Sequence, residues 1–376
     1  MKNQKYCIVF VANRGYALTS SRLPIIKKFL SSGWEVIIAT AADKESRILQ
    51  NFGVHLEEVK FFRGGVSPIK EILSYKRLCD VFKKWQPNII HNFHAKPVIY
   101  GTIAARKKIG SAVRIVNTIT GLGHAFVVGG MPAKLASFGY KNAINQANIN
   151  IFQNRDDLQL FLVKKWVIKS KACLIASSGV DLKRFHYFDR SGRHKQPVVV
   201  MLGRLLRQKG IPDFIEVAKL VKQKLPDAQF LLAGEYDPAH PDSVDMDWLI
   251  DQKDITYLGH LDDVLPILKK SDLLLFPSSY REGVPRVILE AAATGLPIVA
   301  FDVPGVREAV IDEETGYLVP FRDIHTMVKA VNKLLKNREL RINMGKKARQ
   351  MIEALFDQKI IIEKYFEIYR NLGANL

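Results

Sequence analysis

Apolar runs rich in Val, Ile and Leu recur along this 376-residue chain and alternate with longer stretches of amphipathic, helix-period pattern. In the first half the runs fall at residues 6–11, 35–40, 88–94, 114–118, 148–153 and 173–176. In the second half they fall at 198–202, 229–233, 256–258, 273–276 and 297–301. Strands that are apolar almost throughout must be covered on both faces, so the alternation predicts two parallel sheets flanked by helices. A polar segment, 186–196 (HYFDRSGRHKQ), separates the two series and reads as a linker. The tail at 346–369 carries helical spacing in Met351, Leu355, Ile360, Ile361, Tyr365 and Ile368. The chain therefore reads as a first α/β domain over 1–185, the linker, a second α/β domain over 197–355 and a C-terminal helix over 356–376. Two Rossmann-like domains of this kind are expected to face each other across a ligand cleft.

Composition narrows the class. With 48% hydrophobic and 25% charged residues, the chain is neither disordered nor collagen-like, and its length suits two cores rather than one. The formal charge of +19 is one-sided: residues 1–190 hold 30 Lys+Arg against 11 Asp+Glu, while residues 191–376 hold 26 of each. A basic first half implies an anionic partner, whether nucleic acid, a membrane surface or a phosphorylated substrate. The three cysteines (Cys7, Cys79, Cys173) form no CxxC and lie among apolar neighbours, which reads as reduced thiols in a reducing, cytoplasmic compartment. The apolar stretch 6–12 stops at Asn13-Arg14-Gly15 without a small-residue cleavage site, so it reads as a strand rather than a signal peptide. The longest uncharged run, 115–133, is too polar and too rich in glycine to span a bilayer. Three pieces mix bases with large apolar side chains, at 27–30, 83–85 and 164–169. Each reads either as an interfacial membrane contact or as an ordinary amphipathic helix with solvated lysines.

The densest candidate chemistry lies in Ser278-Ser279-Tyr280-Arg281-Glu282-Gly283-Val284-Pro285-Arg286-Val287-Ile288-Leu289-Glu290, just past the 273–276 run. Ligands bind open α/β sheets at that edge. Pro285 suits the first turn of a helix, whose amides favour an anion or sugar hydroxyls. Eight residues at helical rise separate Glu282 from Glu290 by ~12 Å, the reach from hexose to ribose in a nucleotide sugar, and carboxylates accept from vicinal hydroxyls. The second piece, Gly203-Arg204-Leu205-Leu206-Arg207-Gln208-Lys209-Gly210, directly follows the 198–202 run. Its Arg204 and Lys209 would neutralise a diphosphate, most strongly as it departs with developing charge.

Glu282-x7-Glu290 followed by AAATGLPIVA resembles the signature of glycosyltransferase family 4, as do Gly-Arg-Leu-x3-Lys-Gly at 203–210 and Ser178-Gly179-Val180-Asp181-x3-Phe185. The resemblance implies a GT-B fold, a C-terminal helix crossing back to the first domain, and retaining, metal-independent transfer from a nucleotide-sugar donor, here UDP-linked. It implies that Gly203, Arg204 and Lys209 hold the donor diphosphate. Glu282, Gly283, Val284 and Pro285 would contact the donor sugar, and Glu290 the ribose. Glu282, Arg204 and Lys209 are then the catalytic candidates. The departing phosphate is itself expected to act as base, so a side-chain base is not required.

The first half is most similar to the branch acting on undecaprenyl-diphosphate-linked sugars, such as bacterial N-acetylgalactosaminyl- and N-acetylglucosaminyltransferases. The echoes are Ser21-Arg22-Leu23-Pro24-Ile25-Ile26, Asn92-Phe93-His94-Ala95-Lys96 and Thr120-Gly121-Leu122-Gly123. Many family members have a His where this chain has Thr120, so no catalytic His is assigned there. Arg22, His94, Lys96, Gly121, Gly123 and His124 are the acceptor-side candidates. For the two histidines the alternative is a structural role, and for Arg22 and Lys96 it is ordinary surface charge. The glycine-rich span 121–139 reads either as a lipid contact or as a folded loop packed on the protein. Asp245-Met246-Asp247 has the D-x-D form of metal-dependent transferases but lies well past its strand, and no metal is expected. The leading expectation is a peripheral enzyme moving an N-acetylhexosamine to a polyprenyl-diphosphate-linked sugar at an anionic membrane surface. A soluble acceptor or an epimerase keeps the fold. Nucleic-acid binding lacks any supporting motif.

Overall fold

The computed structural model describes residues 6–62, 68–123, 126, 129–191, 196–238 and 240–376. His124, one of the acceptor-side candidates, lies outside them. By contacts the chain forms two compact units. Unit 1 comprises Met1–Ser178, Glu282–Val284 and Lys359–Leu376, and unit 2 comprises Gly179–Arg281 and Pro285–Gln358.

Unit 1 is built on β1 (Cys7–Val11), β2 (Glu35–Thr40), β3 (His55–Glu58), β4 (Ile89–Phe93), β5 (Arg114–Ile119), β6 (Ile149–Phe152) and β7 (Ala172–Leu174). They form one sheet in the order β3-β2-β1-β4-β5-β6-β7, every pair parallel. Apolar layers cover both faces, one around Phe10, Phe29 and Trp34 and the other around Phe82, Ile90 and Ile115. A polar ladder runs through the sheet interior. Asn92, Asn117 and Asn150 stand in register on β4, β5 and β6, with Asn92 Nδ2 donating to Asn117 Oδ1 and Asn117 Nδ2 to Asn150 Oδ1, each at 2.9 Å. Cross-strand pairing of the amides limits the cost of burying them, although the Asn92 Oδ1 at the end of the ladder is enclosed without a partner.

Unit 2 carries β8 (Val198–Leu202), β9 (Gln229–Ala233), β10 (Thr256–Tyr257), β11 (Leu273–Phe276), β12 (Ile298–Phe301) and β13 (Gly316–Val319), ordered β10-β9-β8-β11-β12-β13 and again all parallel. The segment following Gly179 is fastened to this unit. Arg190 is buried and donates to the carbonyls of Leu268, Ser271 and Thr294, and Arg349 donates to those of Phe185 and Ala293.

Two strands escape the apolar-run reading. β3 (HLEE) and β13 (GYLV) are sheet edges, where half-solvated positions tolerate charge and glycine. The tail is two helices, Arg338–Leu355 and Gln358–Asn371, separated at Phe356–Asp357, where Val180 pairs with Asp357. The second of these helices packs into unit 1, burying Ile361, Tyr365 and Tyr369 among Phe29, Phe93 and Val116. Trp34 Nε1 donates to the Asn375 carbonyl at 3.2 Å.

The deepest contact of that helix is polar. His91, fully buried on β4, lies between Tyr369 Oη (2.6 Å from Nδ1) and Thr118 Oγ1 (2.7 Å from Nε2). Burial, with the nearby charge of Arg22 added, holds its pKa well below the usual 6.5. Below that pH the unfolded chain takes up a proton that the native site refuses, so stability is lost as pH falls through 6.5 toward the depressed native value. Urea denaturation at pH 7.5, 6.5 and 5.5 should show stability falling by up to ~1.4 kcal/mol per pH unit from this group. That component should vanish in His91→Gln.

Candidate active site

Strand order reverses between β1 and β4 in unit 1, and between β8 and β11 in unit 2. At such reversals the loops leaving neighbouring strands diverge to opposite faces and leave room for a ligand at the carboxyl edge. The sequence candidates gather around these two points.

In unit 2 the loop after β8 carries Gly203, Arg204 and Lys209, and the loop after β11 carries Ser278, Ser279 and Tyr280. The two loops are stitched together. Ser279 donates its amide to the Gln208 carbonyl at 2.9 Å, and Gln208 donates its own to Asp242 Oδ2 at 2.8 Å. Gly210 has φ 84° and would press a Cβ to 1.9 Å from the Pro277 carbonyl oxygen, so only glycine allows the approach. Arg204 Cζ lies 5.9 Å and Lys209 Nζ 5.1 Å from the centre of the Tyr280 ring. Both cations are thus brought to one aromatic platform, which orients them without neutralising either. Asp242 and Tyr280 had no role assigned from sequence; both follow a strand at this edge.

Pro285 is the N-cap of the helix Arg286–Ala293 rather than a residue of its first turn. Helical rise therefore applies only from 286 to 290, so the ~12 Å expected between the two glutamates does not follow, because Glu282–Pro285 is loop. Glu290 is largely buried and accepts from Arg286 Nη2 at 2.8 Å one turn earlier. Burial raises its pKa against the opposing pull of Arg286 and Arg184. The result is a carboxylate held in a low-dielectric setting by one fixed donor, which leaves acceptor capacity for hydroxyls.

Glu282, Gly283 and Val284 group with unit 1. There the Gly283 amide donates to the Thr120 carbonyl at 2.9 Å, so that amide is engaged rather than open to a sugar. Gly121 (φ 99°) would place a Cβ 2.3 Å from the Glu282 carbonyl carbon. Asn154 Nδ2 donates to the carbonyls of Glu282 (3.1 Å) and Gly283 (3.3 Å), while its Oδ1 caps the helix Arg155–Val163 by accepting from the Asp157 amide at 2.7 Å. Gln153 is buried beside Gly283, with Nε2 unpaired. Neither Asn154 nor Gln153 stood out in the sequence, since their chemistry appears only when β6 delivers them to this backbone.

The remaining candidates are dispersed. His94 directly follows β4 and has φ 73°, an unusual conformation for a non-glycine residue and one that functional loops retain. Lys96 is ion-paired with buried Glu71 and donates to the Phe62 carbonyl, so it is not an ordinary solvated base. Arg22 is buried. Gly123 turns the chain at φ 67°. Asp245, from the D-x-D, caps a helix by accepting from the Trp248 amide. In two of the basic-aromatic pieces the apolar side chain points inward and the lysines stay exposed: Phe29 is core, and Trp85 and Lys84 both donate to Glu57, with Lys27, Lys28, Lys83 and Lys84 exposed.

Two parallel Rossmann-like units with this order of loops define a glycosyltransferase of the GT-B fold. Residues 7–154 match the glycosyl transferase 4-like domain and residues 183–351 match glycosyl transferases group 1, and the chain belongs to this glycosyltransferase family. It is 28% identical, over 98% of its length and 100% of the relative's, to an N,N'-diacetylbacillosaminyl-diphospho-undecaprenol alpha-1,3-N-acetylgalactosaminyltransferase of Campylobacter jejuni. It is also 28% identical, over 82% of each chain, to a UDP-Gal:alpha-D-GlcNAc-diphosphoundecaprenol alpha-1,3-galactosyltransferase of Escherichia coli. Among solved structures, Anabaena HepE in complex with UDP aligns at a TM-score of 0.78 with 17% identity, covering 98% of this chain and 100% of that one.

The Asn154 clasp can be separated from its capping role. Asn154→Ser keeps an oxygen for the helix cap but loses both amide donors, whereas Asn154→Ala loses the cap as well, at about 1 kcal/mol. We expect Asn154→Ser to keep Tm within about 2 °C while transfer falls ten- to a hundredfold, the usual penalty for a displaced reacting loop. Wild-type turnover in Asn154→Ser would reduce the clasp to a structural detail.

Proposed function

We propose that this enzyme transfers a hexosyl group, an N-acetylhexosamine, from a UDP donor to an undecaprenyl-diphosphate-linked sugar, with retention and without a metal ion. The observation that carries the donor assignment is the pair Arg204 and Lys209 flanking Tyr280 at the β8/β11 switch point. Two cations beside one ring, at the edge where anions bind, suit a diphosphate leaving group. The acceptor class is supported by the two relatives whose names specify diphospho-undecaprenol sugars and alpha-1,3 products. An α product from a UDP-α-sugar is retention.

In this mechanism the sugar C1–O bond to the β-phosphate breaks as the acceptor hydroxyl oxygen bonds to C1 on the same face. The hydroxyl proton passes to the departing phosphate oxygen. Arg204 and Lys209 stabilise the charge that develops there, Glu282 and the Gly283–Pro285 loop hold the sugar, and Glu290 accepts from the ribose. His94, Gly121 and Gly123 line the acceptor side.

The membrane reading rests on unit 1. On the helix Gly130–Ala143, Met131, Leu135 and Phe138 are 66%, 49% and 69% exposed and fall at i, i+4 and i+7, with Lys134 and Lys141 beside them. Tyr140 and Ala143 bury the opposite face. Ile69, Ile72 and Leu73 on the helix Pro68–Trp85 are likewise exposed. Apolar side chains among lysines suit an anionic interface, and no helix among the described residues is long and apolar enough to cross a membrane.

Labelled UDP-sugars and a polyprenyl-diphosphate-sugar, incubated with and without EDTA, test the reaction. Chelator-resistant formation of an α-linked lipid product is expected, and transfer only to water or soluble sugars would overturn the acceptor assignment. Lys209→Ala and Glu282→Ala should each lower turnover by about 10²–10³-fold; unchanged rates in both would remove the donor-site assignment. For the membrane, wild-type protein should float with anionic liposomes and lose that with rising salt. Leu135→Glu/Phe138→Glu should reduce partitioning at least tenfold, since each buried apolar side chain contributes about 1.5–3 kcal/mol.

A further inference from the structure

Arg22 closes the loop after β1 and stands at the N-cap of the helix Leu23–Ser31. It is only 3% exposed, yet its guanidinium meets no carboxylate and makes no hydrogen bond among the described residues, and Nε is fully enclosed without a partner. Two rings hold it. Its Cζ lies 5.1 Å from the centre of Phe93, the last residue of β4, and 5.1 Å from that of Tyr365 on the C-terminal helix. The other polar groups close enough to feel its charge are His91, kept neutral by burial, and the Tyr369 hydroxyl. No anion faces it.

An uncompensated buried cation is costly, and cation–π contacts with two rings offset only part of that cost. The site is therefore a cation still lacking its counter-charge. Its geometry says which kind of anion would complete it. Two aromatic rings hold the guanidinium while its N–H donors engage no partner among the described residues, and those donors match phosphate oxygens in a bidentate way that an ammonium does not. The helix beginning at Leu23 adds its positive end with no side chain capping it. The position, at the β1/β4 strand-order reversal, is where an open α/β sheet takes ligands.

We propose that Arg22, clamped between Phe93 and Tyr365, binds a diphosphate, and that the C-terminal helix builds this anion site by supplying Tyr365. Naming that diphosphate as part of a lipid-linked acceptor rests on the function proposed above; the anion site rests on the surroundings of Arg22.

The test titrates the whole protein, held in saturating UDP so that the donor diphosphate site is occupied, with inorganic pyrophosphate and with farnesyl diphosphate. Wild type should bind both, and Arg22→Gln should weaken both at least tenfold. Arg22→Lys, which keeps the charge but loses the planar fork, should recover only part of the loss. In the transfer assay Arg22→Gln should raise KM for the acceptor at least tenfold while KM for the UDP-sugar moves less than twofold. Because an unpaired cation is being removed, Tm should not fall. Tighter binding of farnesyl diphosphate than of pyrophosphate assigns the site to a lipid-linked diphosphate, and equal binding to the diphosphate alone. The proposal is overturned if wild type binds neither probe, if Arg22→Gln binds both as wild type does, or if its Tm drops sharply with acceptor KM unmoved, which makes Arg22 a stacking residue only. Should Arg22→Gln not fold, Tyr365→Leu must show the same selective loss of pyrophosphate binding. Arg22-dependent pyrophosphate binding without sugar transfer would sink the acceptor reading and keep the anion site; undiminished transfer by an Arg22→Gln variant that still binds pyrophosphate as wild type does would keep that reading and overturn the anion site.

Discussion

Parallel pairing of every strand is the constraint on which the rest depends. A parallel neighbour cannot be reached by a tight turn, so each strand must be followed by a crossover, and every strand then ends at the same edge of its sheet. The loops after β1 and β4, and those after β8 and β11, collect at those edges because the backbone gives them no other place to go. Where the strand order reverses, the two crossovers lie on opposite faces and the edge stays open. Arg22 and His94 in one unit, and Arg204, Lys209 and Tyr280 in the other, owe their positions to that geometry before any of their own chemistry is considered.

The interior of unit 1 shows how polar groups are carried through such a sheet. The Asn92–Asn117–Asn150 ladder links its amides by matching register across three strands, and the Nδ1 of His91 finds its partner only because the C-terminal helix delivers the Tyr369 hydroxyl. That helix is therefore part of the core of unit 1, 278 residues away in sequence from the histidine it serves. Tyr365, one turn before Tyr369, places a ring against Arg22, so the element that completes the core also shapes the candidate acceptor side.

Much of this was legible from residue pattern. The central strands announced themselves as continuous apolar runs because both of their faces are buried, and β2, β8, β9 and β11 begin and end where those runs do. The edge strands β3 and β13 were not legible, since an edge is half solvated and needs no such run. The motif residues Arg204, Lys209 and Glu290 were visible as unusual charges beside apolar runs. The distance between Glu282 and Glu290 was not, because it depends on where the helix starts, and Pro285 starts it four residues later than a continuous helix would. Asn154 and Gln153 carried no signal, and Tyr280, although inside the motif stretch, had no role. An amide or a phenol becomes informative only when its partner is known, and here the partners are backbone carbonyls and cations distant in sequence.

The one-sided charge of +19 illustrates the same division. Sequence alone determined that the excess of bases belongs to the first half, that two parallel α/β units would form, and that two fixed cations follow a strand in the second. These are consequences of composition and of hydrophobic period, which act locally. Tertiary structure alone decided which bases remain available. Lys96 and Lys84 are paired with buried carboxylates, the lysines of the helix Gly130–Ala143 flank exposed apolar side chains, and Arg22 is enclosed with no counter-charge among the described residues. The physical reason is that a charge counts equally in a sum wherever it sits, whereas its interaction energy depends on burial and on partners a few ångströms away, which only the folded chain brings together.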